Sequence, residues 1–515
     1  MRAYLKKPLT VSRSIDEIKK RIDNRGDTFL SIAEKAVYGN KTSPYGKLLL
    51  WAGCDYADLR HSVRHQGLEK TLEKLRDEGV YVTLEEFKSK VPILRKGLTI
   101  ETSESDFDNT LAGAAFQCTT SGSRSSGTNV MYNLDCFAEE AADKLIYYET
   151  HGLLDAPLAL WLPVLPCLSG FHNFLMNSRF HRPPEKWFSQ LNAAKTEMTR
   201  RNYRAMNNIL MSCRFWGLPA PQPEFTDIGN AVKIARWMET TRKTRGTCVV
   251  STYVSSAIRI VQAALENGID ISGNAISASA EPLTHKRAAF IESAGLKVLH
   301  YYASTEGGLI GASCGKGDYP GDMHICFDRF AVIQRTRETA VGGYKVDSFL
   351  LTYLSKNVGK ILLNTDMGDF GKLTIKPCDC LFGRLGMNVH VSEVRSYDKL
   401  TCEGMTLLGS QIYENVGEVV EEAGGGPDDY QFWETYDNAG LAKLVVAVSP
   451  KIRRLNEENF TAAILNKMRS KNITVTSQFW EQAKTLQLVR AYPEMTKKFK
   501  LLPIKRSHIE TVISH

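Results

Sequence analysis

Apolar and polar positions divide the chain into three stretches. Residues 1 to about 105 carry helical spacing, with short amphipathic runs at Leu68 to Leu75 and Leu84 to Lys90. From 106 to 390, apolar β-branched runs alternate with helical patterns. Cys248-Val249-Val250-Ser251-Thr252-Tyr253 precedes a helix predicted over Ser256 to Asn267, and Ala275-Ile276-Ser277-Ala278 precedes one over Thr284 to Ala294. Lys297-Val298-Leu299-His300-Tyr301-Tyr302 leads into a further loop. Strand followed by loop, repeated, predicts an α/β sheet whose loops carry the site. Residues 399 to 515 read as a small α+β unit with a strand over Leu441 to Val448, a helix over Glu457 to Lys471 and a strand at Ile473-Thr474-Val475. Gly424-Gly425-Gly426 is predicted as a turn inside it.

One segment departs from this pattern. Thr119-Thr120-Ser121-Gly122-Ser123-Arg124-Ser125-Ser126-Gly127-Thr128 is Ser, Thr or Gly throughout except for one Arg. Small residues let the backbone approach a phosphate closely, their N–H groups and hydroxyls donate to its oxygens, and the Arg adds charge. The apolar Leu111 to Phe116 before it and the helical spacing from Met131 predict strand, phosphate loop and helix. A solvent-exposed linker has the same composition. The segment lacks the Gly-Lys-Ser/Thr ending of a P-loop NTPase.

Composition narrows the class without choosing a function. The 515 residues are 43% hydrophobic and 24% charged, the profile of a globular protein of several domains. No apolar run is long enough to span a bilayer, and no apolar core follows the charges of Met1-Arg2-Ala3-Tyr4-Leu5-Lys6-Lys7, so no membrane partner and no signal peptide are expected. The 11 cysteines are scattered, which predicts reduced thiols in a cytoplasmic protein. The net charge of +8 is diluted over the charged side chains. The basic runs Arg200 to Arg204 and Lys497 to Lys500 are read as a solvated helix face or an ATP-facing tail, with no nucleic-acid partner, and the excess suits a small anionic substrate.

Downstream of the Ser/Gly segment four further motifs follow in order. They are Ala278-Ser279-Ala280-Glu281-Pro282-Leu283-Thr284, Tyr302-Ala303-Ser304-Thr305-Glu306-Gly307-Gly308, Asn364-Thr365-Asp366-Met367-Gly368-Asp369, and Val394-Arg395-Ser396-Tyr397-Asp398-Lys399. The ordered set resembles the adenylate-forming (ANL) superfamily, in its phenylacetate–coenzyme A ligase-like branch. Tyr81 to Lys88 and Pro92-Ile93-Leu94 resemble that branch's N-terminal segment, so the likeness spans nearly the whole chain. It implies a large N-terminal adenylate-forming domain of layered sheets and helices (1–394), a hinge (395–398) and a small, mobile α+β C-terminal domain (399–515).

The resemblance also implies roles. Thr120, Ser121, Gly122, Ser123, Arg124, Ser126, Gly127 and Thr128 would hold the β- and γ-phosphates of ATP. Glu306 would hold Mg²⁺, a hard cation that takes carboxylate and phosphate oxygens. Thr305 would donate to the α-phosphate. Ala280, Glu281, Pro282, Tyr302 and Ala303 would border the adenine and acyl pocket. Asp369 would accept from both ribose hydroxyls, and Arg395 would contact ribose or phosphate. A C-terminal lysine would meet the α-phosphate on domain closure. Thr496-Lys497-Lys498-Phe499 resembles the family's Thr-Gly-Lys-Phe ending, which nominates Lys498, with Lys505 in reserve. Three departures stand out. Arg124-Ser125-Ser126 lengthens the phosphate loop, Asn129-Val130 stand where a lysine is usual, and Ala303 replaces a glycine.

Two further groups complete the expectations. Cys314, His324, Cys378 and Cys380 offer three thiolates and an imidazole, a tetrahedral zinc set that some members of the branch carry as a structural site; Cys326 competes with Cys314. Trp161, Phe171, His172, Phe174 and Tyr253 are candidates for an acyl or aryl pocket wall. The expected activity is ATP-dependent activation of a carboxylic acid, aromatic first, as acyl-AMP. The acyl group would then pass to coenzyme A, a carrier-protein thiol or an amine, in a chain that can act as a homodimer. Adenylation of nitrite for diazotisation is the alternative within the class. A non-catalytic, zinc-stabilised relative is the alternative outside it.

Overall fold

The computed structural model describes residues 2–6, 8–113, 116–119, 129–192, 197–338, 345–397, 399–471, 473–494 and 504–506. Its centre is a twelve-stranded sheet with two halves. In the first half, Glu224–Phe225, Lys186–Ser189, Leu158–Trp161, Val249–Tyr253, Ala275–Ser279 and Lys297–Ser304 lie side by side and run parallel. Every residue of Val249–Tyr253 and Ala275–Ser279 is buried, which is why these strands carry only apolar residues, Tyr and small hydroxyl residues, with no charged position facing solvent. In the second half, Gly308–Ala312, Met323–Ile325, Val389–Ser396, Thr365–Ile375, Lys345–Tyr353 and Phe330–Glu338 follow in antiparallel order. The halves meet at Lys297–Ser304, which pairs parallel on one side and antiparallel, through a bulge at Tyr302/Ala303, on the other.

Helices cover the sheet. The expected helices behind the parallel strands occupy Val254–Glu266 and His285–Glu292. Leu134–Thr150 and Leu168–Arg179 lie deep in the core and bury Phe137, Leu145, Phe171 and Phe174 completely. Leu134–Thr150 also carries charge inward. Asp143 pairs with the fully buried Arg329 at 2.7 Å, and the Lys144 ammonium sits 3.7 Å from the centre of the Tyr301 ring. The helical N-terminal region is stitched to the sheet by Val82, whose N–H donates to Asn364 O (3.1 Å) and whose carbonyl accepts from Asp366 N (2.8 Å).

After Ser396 the chain leaves the large sheet and enters a hairpin, Lys399–Cys402 with Met405–Leu408. A four-stranded sheet follows, ordered Leu486–Arg490, Ala442–Val448, Tyr430–Tyr436 and Ile504–Arg506, with helices Gly409–Glu422, Phe460–Ser470 and Thr474–Ala483. Two local expectations are corrected. Ile473-Thr474-Val475 is not a strand; the helix Thr474–Ala483 starts there, because Val475, Phe479, Trp480 and Ala483 fall on one buried helical face. Met131 is not helical. Asn129–Tyr132 pairs with Phe116–Thr119, and the helix begins at Leu134, where the Asn133 side chain accepts from Cys136 N at 2.8 Å.

Candidate active site

The carboxyl ends of Val249–Tyr253, Ala275–Ser279 and Lys297–Ser304 open into one cavity of about 920 Å³. This is the position where ligands bind in an open α/β sheet. Ala280, in left-handed conformation at φ 68°, turns the chain so that Glu281 and Pro282 line the wall. Tyr302, Ala303, Thr305 and Glu306 follow from the junction strand. The antiparallel half contributes Asp369 and Arg395, whose strands are in register through the pair Asp369 and Ser396. Nominated residues from Ala280 to Arg395 therefore share one cavity.

The polar groups are tightly tied. Asp369 Oδ2 accepts from the Tyr302 hydroxyl (2.8 Å) and Oδ1 from the Ser396 hydroxyl (2.5 Å). Burial pushes the Tyr302 hydroxyl well above its ordinary pKa, and the Asp369 charge adds to the rise. Glu281 is pushed up by burial, against the pull of Arg287. Its carboxylate accepts from Ser255 N (2.8 Å), the Ser255 hydroxyl (2.9 Å) and Gly404 N (2.5 Å). Glu281 thus braces the wall and reaches the hairpin of the small unit. Glu306 faces the Lys88 ammonium at 2.5 Å.

On the acyl side the structure separates the five nominated residues. His172 and Tyr253 line the cavity. Trp161, Phe171 and Phe174 do not; they are core residues. The Trp161 indole donates to Thr226 O at 3.1 Å within the parallel sheet, and Phe174 stacks on Trp187 with ring centres 6.2 Å apart. Aromatic composition could not tell a pocket wall from the hydrophobic core behind it. The wall is more polar than expected. Ser169 and Tyr253 share a hydrogen bond of 2.8 Å, Asn173 donates to the Tyr301 hydroxyl (3.3 Å), and His172 Nε2 lies 2.9 Å from the fully buried Glu140. Burial raises Glu140, but the His172 contact, the Arg329 charge and the Leu309 N–H together hold the carboxyl below its usual range.

Beside the cavity, on the antiparallel half, the four nominated ligand residues converge. The ligand atoms of Cys314, His324, Cys378 and Cys380 all lie within 4.8 Å of one another. Cys314 and Cys378 sulfurs are 3.8 Å apart, and His324 Nε2 is 3.3 Å from Cys314 Sγ and 3.2 Å from Cys380 Sγ. A tetrahedral zinc with Zn–S bonds of ~2.3 Å sets sulfurs ~3.8 Å apart. His324 Nδ1 lies 2.6 Å from Met387 O, an outer contact that aims Nε2 at the thiols. Cys326 is not part of the cluster; it is buried against Asp143 and Arg329.

Two nominated elements, the phosphate loop Thr120 to Thr128 and Lys498, lie outside the described residues. Lys505 falls in the strand Ile504–Arg506, opposite Trp433. Sequence reasoning missed Lys88, Ser396, Gly404 and Glu140. Lys88 stood in a quoted segment but carried no signal of a partner 218 residues away.

No family model and no curated protein sequence matches the chain. Among solved structures, a 2-hydroxyisobutyryl-CoA ligase in complex with 2-HIB-AMP and CoA superposes with a TM-score of 0.60 at 15% identity, over 96% of this chain and 92% of the ligase. The adenylation domain AlmE of Vibrio cholerae reaches 0.45 at 13% identity over 92% and 83%. The amide bond synthetase Mcba of Marinactinospora thermotolerans reaches 0.42 at 11% over 77% and 69%. At 0.60 the ligase defines the fold, and the two lower scores add nothing to it. The chain has the α/β fold of that ligase.

Proposed function

We propose that the chain is an ATP-dependent adenylate-forming ligase of the phenylacetate–coenzyme A ligase-like branch. The observation that supports this most directly is the meeting of Thr305, Glu306, Asp369, Tyr302 and Arg395 in one cavity at the carboxyl ends of the parallel strands. In the first step a carboxylate oxygen attacks the α-phosphorus, the bond from that phosphorus to the α,β-bridging oxygen breaks, and pyrophosphate leaves with the electron pair. In the second, an acceptor sulfur or nitrogen attacks the acyl carbon, loses its proton, and AMP leaves. Such transfers depend on positioning and charge neutralisation. Asp369 would take the ribose hydroxyls, Thr305 the α-phosphate and Arg395 the ribose or phosphate. The loop Thr120 to Thr128 would hold the β- and γ-phosphates, and Lys498 the α-phosphate during adenylation. We take the domains to be 1–394 and 399–515, with a hinge at 395–398.

Glu306 fits a Mg²⁺ ligand: it is a buried carboxylate that already faces a cation, the Lys88 ammonium. Bound there, Mg²⁺ would neutralise charge on the departing pyrophosphate. The hairpin of the small unit lines one side of the cavity, with Gly404 against Tyr253 and bonded to Glu281. We read this as the second-step arrangement; the ligase of the same fold is in its thioesterification state. Coenzyme A is the acceptor to test first, ahead of a carrier protein or amine. An aromatic acid is the first substrate class, facing the Tyr253 ring. Ser169, His172 and Asn173 on that wall extend the test to acids with a hydrogen-bonding substituent. Cys314, His324, Cys378 and Cys380 would hold a structural zinc, since four protein ligands leave no open position.

The test is pyrophosphate release from ATP and Mg²⁺ across aryl, alkyl and hydroxy acids and nitrite. Acid-dependent release that is lost in Glu306→Gln supports the reading and names the class. Silence across the panel together with no ATP binding would leave a scaffold protein.

A further inference from the structure

Lys88 is placed with unusual care for a lysine. Its ammonium lies 2.5 Å from Glu306 Oε1, with side chains 12% and 8% exposed, and both residues line the cavity. The backbone that carries it is fixed from several sides. Lys88 closes the short helix Leu84–Phe87, whose start is a reciprocal cap between Thr83 and Glu86. Glu86 is held by Arg95 at 2.8 Å, and Arg95 is held by Tyr81 O (2.6 Å) and Gly79 O (2.8 Å). Val82 is bonded on both sides to Asn364 and Asp366, at the start of the strand that carries Asp369. The same strand therefore sets the positions of the ammonium and of the ribose-binding candidate.

A buried ion pair is costly to desolvate and is weak evidence for stability. This one also sits on the carboxylate that a metal would need, in a chain whose phosphate loop is followed by Asn129-Val130 in place of a lysine. We propose that Lys88 is a built-in counterion: Glu306 exchanges the Lys88 ammonium for Mg²⁺, and the released ammonium turns to the phosphate oxygens of ATP. This rests on the reading of Glu306 as the Mg²⁺ ligand. A compact ammonium on a flexible four-carbon stem can move between the two anions without backbone rearrangement. ATP and Mg²⁺ then bind with positive coupling, because ATP draws off the cation that competes with Mg²⁺.

The test is equilibrium binding by calorimetry of Mg²⁺ alone, ATP alone and both together, in the full chain and in Lys88→Met, Lys88→Arg and Glu306→Gln. Lys88→Met is expected to bind Mg²⁺ alone about tenfold more tightly and Mg²⁺·ATP about tenfold more weakly, opposite signs that a merely structural lysine would not give. Lys88→Arg keeps ATP affinity and needs more Mg²⁺, because a guanidinium holds a carboxylate through two bonds. Mg²⁺ requirement should rise in the order Met, Lys, Arg. Equal requirement across the series, or weaker Mg²⁺ binding in Lys88→Met, overturns the exchange. If Lys88→Met does not fold, Lys88→Arg against wild type decides by the same order. Glu306→Gln separates the two layers. If it leaves Mg²⁺ dependence intact, the reading of Glu306 fails. If it abolishes that dependence while the Lys88 series stays flat, only the exchange fails.

Discussion

Gly404 offers the sharpest test of the closed arrangement. It sits at the turn of the hairpin 399–408 with φ at 69°, and its N–H donates to Glu281 at 2.5 Å. A Cβ at this position would overlap three carbons of the Tyr253 ring, with Cε2 at 2.5 Å. Tyr253 is 3% exposed and anchored by Ser169, so the ring has nowhere to yield. Gly404→Ala must therefore push the hairpin back by about 1 Å to restore ordinary contact. That stretches the hydrogen bond to the Glu281 carboxylate, worth ~1.5–3 kcal/mol. Left-handed strain adds ~1–2 kcal/mol. Together these total about 2.5–5 kcal/mol against the closed arrangement, or roughly a hundredfold to a few thousandfold in its population. The assay separates the half-reactions. Single-turnover pyrophosphate release without acceptor should stay within about threefold of wild type, while acyl transfer from preformed acyl-adenylate should fall about a hundredfold or more. Equal loss in both steps, or no loss in transfer, would refute the assignment of this arrangement to the second step.

Three other outcomes follow from the same structure. The protein should hold one zinc per chain by elemental analysis, and Cys378→Ser or a strong chelator should lower its thermal unfolding midpoint by several degrees; a metal-free protein with an unchanged midpoint would remove the zinc reading. Burial depresses His300 to about 4 from 6.5, so the unfolded chain takes up a proton between those values that the folded chain refuses. Stability from this group is complete above pH 6.5 and is lost as pH falls toward 4, by about 3 kcal/mol; His300→Gln, which can still donate to Glu281 O, should flatten denaturation curves across that window. Lys144 is fully buried, its Nζ has no hydrogen-bond partner among the described residues, and burial lowers its pKa well below the usual value. Lys144→Met should therefore raise stability by ~1–3 kcal/mol in chemical denaturation, and a loss of that size would mean that the contact with the Tyr301 ring dominates.

How far the sequence could be read depended on whether the relevant forces were local. The parallel strands at 249–253 and 275–279 were legible because burial on both faces leaves an uncharged run of apolar and small hydroxyl residues. The Thr474 helix was not, because Ile473-Thr474-Val475 is β-branched and short, and only contacts with Phe479 and Trp480 settle its state. The Cys/His set was legible because few residue types can ligate, so two local pairs sufficed. The aromatic wall failed for the opposite reason. Trp161, Phe171 and Phe174 have the same chemistry in a core as in a pocket, and only the position of the sheet distinguishes them.

The residues missed altogether share one property: each acts through a partner far along the chain. Gly404 matters because of Tyr253 and Glu281, Glu140 because of His172, and Lys88 because of Glu306. Glycine in Glu403-Gly404-Met405 reads as a turn, and a lysine at a helix end reads as a solvated charge. Their meaning arises when the N-terminal arm, the junction strand and the small unit's hairpin converge on one cavity. That convergence joins the two proposed steps. The arm brings a cation to the carboxylate expected to hold the metal, and the hairpin brings a side-chain-free backbone to the wall expected to hold the acyl group. Tyr302 and Asp369, joined at 2.8 Å, line the same cavity. A perturbation at Lys88 should therefore register in nucleotide and metal binding, and one at Gly404 in acyl transfer. A site in which both registered in both steps would be a single rigid pocket, and the two-step use of one cavity would have to be given up.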